Sequence, residues 1–131
     1  MTTRLVGPIN SGPASGGAGV ATSTGVTNQM IVGEILGVYA KYNHAPPAGT
    51  TGFVLATQGT SPAPPTYDIL NLAAAATDGW FYPEIAAVCE VDGTPVAGQY
   101  APILVHDFLS LTIDGADDLD NVDAWILLRE P

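Results

Sequence analysis

Proline and glycine, 11 and 15 of the 131 residues, punctuate this chain so closely that its apolar stretches come as short runs, and that spacing constrains the fold more than any other feature. Two clusters, HAPPAGT (His44 to Thr50) and TSPAPPT (Thr60 to Thr66), set prolines side by side. Consecutive prolines neither continue a sheet ladder nor enter a helix interior, so both clusters read as turns. Before the first lies QMIVGEILGVYAKYN (Gln29 to Asn43), β-branched and aromatic with Gly33 and Gly37 inside it. Those glycines weaken a helix and mark bulges or close backbone approach in a strand, which predicts one long central strand. Between the clusters, TGFVLATQG (Thr51 to Gly59) predicts a second.

Beyond Thr66 the chain alternates strand and turn signals. YDILNL reads as a strand, whereas LAAAATD suits one helical turn because alanine has the best helix propensity. DGWFYPEIAAVCEVDGT reads as a strand between two Asp-Gly turns, with Pro83 at a sheet edge or bulge. YAPILVHD and LSLTIDG follow as short strands, the second alternating Leu109, Leu111 and Ile113 with Ser110 and Thr112. NVDAWILLRE closes the chain with Val122, Ala124, Ile126 and Leu128 on one face and Asp123, Trp125 and Leu127 on the other. Apolar groups on both faces call for a central position in the sheet or for a contact outside the domain.

Strands spaced at roughly 8 to 12 residues by Gly, Pro and Asp turns predict an all-β domain over residues 29–131, either an antiparallel, jelly-roll-like β-sandwich or a small barrel. Residues 1–28 read as an extended N-terminal arm. Its stretch SGPASGGAGVATSTG (Ser11 to Gly25) holds no aromatic, no charge and one branched aliphatic, Val20, so it offers little to a core. An arm of this kind stays ordered only where something holds it.

Thirteen acids stand against three bases, Arg4, Lys41 and Arg129, for a net charge of −10. That balance opposes nucleic acid and anionic membranes, which are bound through Lys and Arg. Only 12% of residues are charged, about half the usual share, which suits a surface covered by copies of itself or by partners. No apolar signal-peptide core follows the first residues and no apolar run approaches a membrane span, so synthesis in the cytoplasm is expected.

Catalytic constellations are sparse. Asp114, Asp117, Asp118 and Asp120, with Asp123, offer hard oxygens of the kind Ca²⁺ takes, but their spacing does not match an EF-hand and a solvated turn is the preferred reading. His106 beside Asp107 suggests a dyad, yet Ser110 is not placed by its spacing to complete a triad, and His44 and His106 are too few for zinc. Cys89 in EIAAVCEV reads as a buried small hydrophobe. No cofactor fingerprint is present, and no enzymatic activity is expected. The aromatics Trp80, Tyr82 and Trp125, with Tyr39, Tyr42 and Tyr100, fit either an interface or core or, exposed, a platform on which sugar rings stack.

The arm, the strand entering a proline-braced hairpin (GEILGVYAKYNHAPPAGTTGFVLATQG), AATDGWFYPEI and DNVDAWILLRE together resemble the small β-rich virion proteins of tailed bacteriophages, capsid decoration (cement) or head-fibre proteins. That resemblance implies a non-enzymatic protein of the capsid surface, often a homotrimer, whose partners are the major capsid protein and copies of itself. It assigns Ser11, Gly12, Pro13, Gly16, Gly17, Gly19, Val20, Thr22 and Thr24 to contacts with neighbouring subunits, and Trp80, Tyr82 and Trp125 to an interface. A carbohydrate-binding β-sandwich is the alternative, separated from the first by whether those three aromatics are covered or exposed.

Overall fold

The computed structural model describes residues 2–43, 51–59, 66–75, 77–86, 91–92 and 94–131; His44 and Cys89 lie outside them. The described residues form ten strands: β1 (Thr2–Asn10), β2 (Ala21–Val26), β3 (Ile31–Tyr42), β4 (Thr51–Thr57), β5 (Asp68–Ala75), β6 (Gly79–Phe81), β7 (Glu84–Ala86), β8 (Tyr100–Asp107), β9 (Leu109–Ala116) and β10 (Val122–Glu130). They build two antiparallel sheets, one ordered β1-β10-β3-β8-β7 with β6 also paired to β3, the other β2-β9-β4-β5. The fold is an antiparallel β-sandwich.

Its core lies between the sheets. Ile35, Val38, Ala40, Ala124, Ile126 and Leu128 point in from the first, and Phe53, Leu55, Leu109, Leu111 and Ile113 from the second. On β10 the buried set is Val122, Ala124, Ile126 and Leu128, as the alternation predicts, and β10 takes an interior place, between β1 and β3.

Two local expectations are corrected. LAAAATD does not close as a helical turn: Leu72 to Ala75 continue β5, whose ladder with β4 pairs Leu72 with Phe53 and Leu70 with Leu55. Cross-strand pairing outweighs the alanine propensity there. The predicted strand through Pro83 is two short strands, β6 and β7, on different partners, β3 and β8. The proline carries no N–H for a ladder, and the break falls at it.

The larger correction concerns the arm. Residues 2–10 are β1, paired along β10, and residues 21–26 are β2, paired along β9, so the segment supplies one edge strand to each sheet. Edge strands need backbone ladders more than apolar side chains, and small residues let the backbones meet: a Cβ on Gly25 would lie 1.8 Å from the Asn10 carbonyl oxygen. Ile9, Ala14 and Ala21 enter the core. The connection is tied back as well. Ser11 N–H donates to the Val122 carbonyl at 3.0 Å, Ala14 N–H to that of Asp120 at 2.7 Å, and Leu119 N–H to that of Ala14 at 2.8 Å. What orders this small-residue segment is the sandwich itself.

Candidate functional site

The outer face of the first sheet carries the aromatics. Register places Trp125 on β10 opposite Tyr39 on β3, and Tyr39 opposite Trp80 on β6, so three rings line up across three strands. The Tyr39 and Trp125 ring centres are 6.0 Å apart and those of Tyr39 and Trp80 5.4 Å, each pair inclined at 52°. Tyr82 extends the row, 6.4 Å from Trp80 with the two ring planes within 10° of each other. Leu5, Tyr39, Lys41, Trp80 and Trp125 bound a cavity of about 270 Å³.

Trp80, Tyr82 and Trp125 are held from below. β6 has only three residues, but Phe81 packs against the core while Trp80, its neighbour, faces out, and the Asp78 carboxylate accepts the Tyr42 N–H at 2.8 Å, pinning the start of β6 to β3. Gly37 lets Tyr82 and Trp80 lie close over the β3 backbone, since a Cβ there would stand 3.3 Å from Tyr82 Cδ1 and Cε1 and 3.4 Å from Trp80 Cε3. Gly7 does the same beside Trp125, where a Cβ would come 3.2 Å from its Cδ1 and 2.8 Å from the Ala124 carbonyl oxygen. Trp125, Tyr39 and Trp80 thus sit on paired strands, and Tyr82 directly follows β6.

Polar groups flank the row. On one side Lys41 stands opposite Asp123 in the ladder, and Asp123 accepts a hydrogen bond from the Asn10 amide at 2.7 Å. On the other, Arg129 Nε donates to Glu34 at 2.7 Å; the Arg4–Glu130 pair lies toward the opposite face of the sheet, since Arg4 is in register with the buried Leu128. Among the described residues Lys41 is the one base without an ion pair.

The aromatics assigned to an interface therefore form an open groove. Trp80 is 44% and Tyr82 65% exposed, and Trp125 is half-buried. Tyr42, by contrast, points into the core, and Tyr100 lies on β8 outside the row. Leu5, Gly37 and Lys41 are site residues that sequence reasoning missed.

The other candidates are dispersed or engaged. His106 is exposed on β8, while Asp107 is buried and accepts the Gly59 and Phe108 N–H groups, both at 2.7 Å. Alternation has put the two on opposite faces, and Ser110 faces away from the core on the other sheet, so the dyad and triad do not assemble. Within the acidic turn, Asp120 accepts the Asp117 N–H at 3.1 Å and Asp117 accepts the Gly19 N–H at 2.9 Å. Asp114 packs over Gly52, and Asp118 joins no site. Among the described residues no three His, Cys, Asp or Glu side chains gather as a metal requires.

Several of the residues assigned to capsid contact make hydrogen bonds within the chain's own fold. Ser11 is buried and its hydroxyl accepts the Val122 N–H at 3.0 Å, Thr22 donates to the Ile113 carbonyl at 2.9 Å, and Thr24 and Thr112 hydroxyls bond at 2.9 Å. The Gly12 N–H is taken by Asn10 Oδ1 at 2.7 Å. Pro13, Gly16, Gly17, Gly19, Val20, Thr22 and Thr24 are exposed, the Gly19 N–H being bound to Asp117.

No protein-family model and no curated protein matches the chain. Among solved structures it is similar to a family 32 carbohydrate-binding module in complex with 4,5-unsaturated mannuronic acid, at 9% identity over 85% of this chain and 73% of that one, with a TM-score of 0.42. It is also similar to a mutant of a family 29 carbohydrate-binding module, at 10% identity over 99% of this chain and 92% of that one, with a TM-score of 0.46. The expectation of a capsid decoration protein that grips the shell with a free arm is corrected by the fold: residues 2–10 and 21–26 are two strands of the sandwich.

Proposed function

We propose that this chain is a carbohydrate-binding β-sandwich module that holds glycans on the aromatic groove of its first sheet. The observation that carries this reading is the exposure of Trp80 and Tyr82 on a face whose rings are fixed from below. Large aromatics gain by leaving water, and a sheet that spends ladder bonds and a carboxylate anchor to hold them outward has a flat apolar partner to cover. A pyranose ring presents such a partner, because its axial C–H bonds form an apolar face with slight positive charge that suits the negative face of an aromatic ring. Its equatorial hydroxyls then project sideways, toward donors and acceptors such as Lys41, Asp123 and Asn10. In this reading the chain acts by binding and carries out no reaction of its own.

Trp80→Ala tests it. The side chain is on the outer face and its loss leaves Phe81 in place, so the fold should persist by circular dichroism while glycan affinity falls at least about tenfold, the effect of roughly 1.4 kcal/mol of stacking. Unchanged glycan binding by the folded variant would remove the groove from the function.

A further inference from the structure

The shape and charge of the groove specify what kind of glycan it takes, an inference that rests on the glycan-binding reading and deepens it. The row runs across the strands, because Trp125, Tyr39 and Trp80 are direct cross-strand partners. Its successive ring centres stand 6.0, 5.4 and 6.4 Å apart. A pyranose unit with its glycosidic oxygen, built from bonds of about 1.5 Å, advances a chain by about 5 Å, so the steps of the row match successive sugars. Among the described residues neither end is walled: Leu5, beyond Trp125, is 55% exposed, and Tyr82, beyond Trp80, is 65% exposed. A site for a single terminal sugar closes around one ring, whereas this row lets a chain enter and leave.

Charge decides a second point. Arg4 and Arg129 are tied to Glu130 and Glu34 on the same sheet, and the remaining base, Lys41, stands opposite Asp123. The groove therefore offers no surplus of positive charge, and the molecule around it carries −10. A polyuronate would approach against that field, most of all at low salt. Lys41 and Asn10 remain as donors, and Asp123 as an acceptor, for neutral hydroxyls.

We infer that the groove binds the interior of an uncharged glycan chain lying across the strands, over about three or four consecutive units. The experiment is calorimetric titration of the full chain and of Trp80→Ala with neutral oligosaccharides of increasing length cut from β-glucan, mannan and xylan, and with alginate and polygalacturonate fragments of matched length, at low and high salt. The expected result is about fivefold tighter binding per added neutral unit up to about four units, then a plateau, with uronate fragments weaker than the neutral series at low salt. A monosaccharide that binds as tightly as a tetrasaccharide overturns the chain-interior assignment, and uronates that bind more tightly than neutral sugars overturn the charge assignment. Binding by no member of either series, or binding untouched by Trp80→Ala, instead overturns the reading on which both rest.

Discussion

Replacing Gly37 separates the binding platform from the fold beneath it. Gly37 lies on the outer face of β3 opposite Leu127, and its backbone is not in the left-handed region that favours glycine, so the strand accepts a larger residue. Glycine inside a strand costs roughly 0.5–1 kcal/mol relative to alanine; substitution thus tends to stabilise the sheet. On the outer face the effect is opposite. A Cβ would stand 3.3 Å from two Tyr82 ring carbons and 3.4 Å from Trp80 Cε3, so alanine shifts the rings slightly and the two further methyls of valine require the space they occupy. Dislodging both rings forfeits about 1 kcal/mol of stacking each, and about 2 kcal/mol is roughly thirtyfold in affinity. Gly37→Ala should lose less than about fivefold on the same scale. Thermal melts and glycan titrations of the two variants, run side by side, read both effects. A Gly37→Val protein that melts like the parent and binds with the parent's affinity would refute the claim that Trp80 and Tyr82 seated over Gly37 make the platform.

Two further outcomes follow from the fold. Burial, and secondarily the Asp78 charge, push the Tyr42 phenol up to about 12, and its buried hydroxyl has no hydrogen-bond partner among the described residues. The unfolded phenol titrates near 10, so stability is full below that pH and falls as pH rises toward 12, by on the order of 3 kcal/mol; burial, then Asp107, raises Tyr67 in the same direction. Tyr42→Phe should flatten most of that fall in urea titrations on either side of pH 10 and cost nothing at neutral pH, or gain about 1 kcal/mol; an unchanged alkaline slope would refute the assignment. Removing residues 1–25 should unfold the domain, because it strips β1 from β10 and β2 from β9 against a net stability of about 5–15 kcal/mol. A truncated chain with a cooperative, near-native melt would contradict that.

Much of the sandwich was legible because half-buried strands write their burial into the sequence with period two. β8, β9 and β10 were read to within a residue or two, down to the buried face of β10. The arm was not, because β2 carries little apolar signal and Gly7-Pro8 interrupts that of β1: the two are held by ladders to partners 84 to 128 positions away in sequence, and a backbone partner leaves no mark on composition. LAAAATD misled for the complementary reason, since its local propensity opposed the pairing that decided it. The aromatics were recognised as candidates, while Leu5, Gly37 and Lys41 joined the site only through cross-strand register.

Register also explains why the groove exists. Along β3, strict alternation from Ile31 would turn Ile31, Gly33, Ile35, Gly37, Tyr39 and Lys41 toward the core and leave Val38 and Ala40 outside. Instead Leu127 pairs with Gly37 and the next residue, Leu128, with Ile35, so Leu36 is an extra residue that bulges the strand. Beyond it the parity reverses: Val38, Ala40 and Tyr42 are buried, and Tyr39 and Lys41 face out. The same point is where β3 changes neighbour, from β8 alongside Ile31–Ile35 to β6 alongside Val38–Ala40. A bulge both flips side chains and increases local twist, so one inserted residue carries Tyr39 out of the core, aligns it with Trp125, and opens a place for the short strand that brings Trp80. The interior loses nothing by this, because Val38 and Ala40 fill the positions Tyr39 and Lys41 vacate. A binding face and a well-packed core can thus share the same strands without compromise, the first made from the residues that the second excludes.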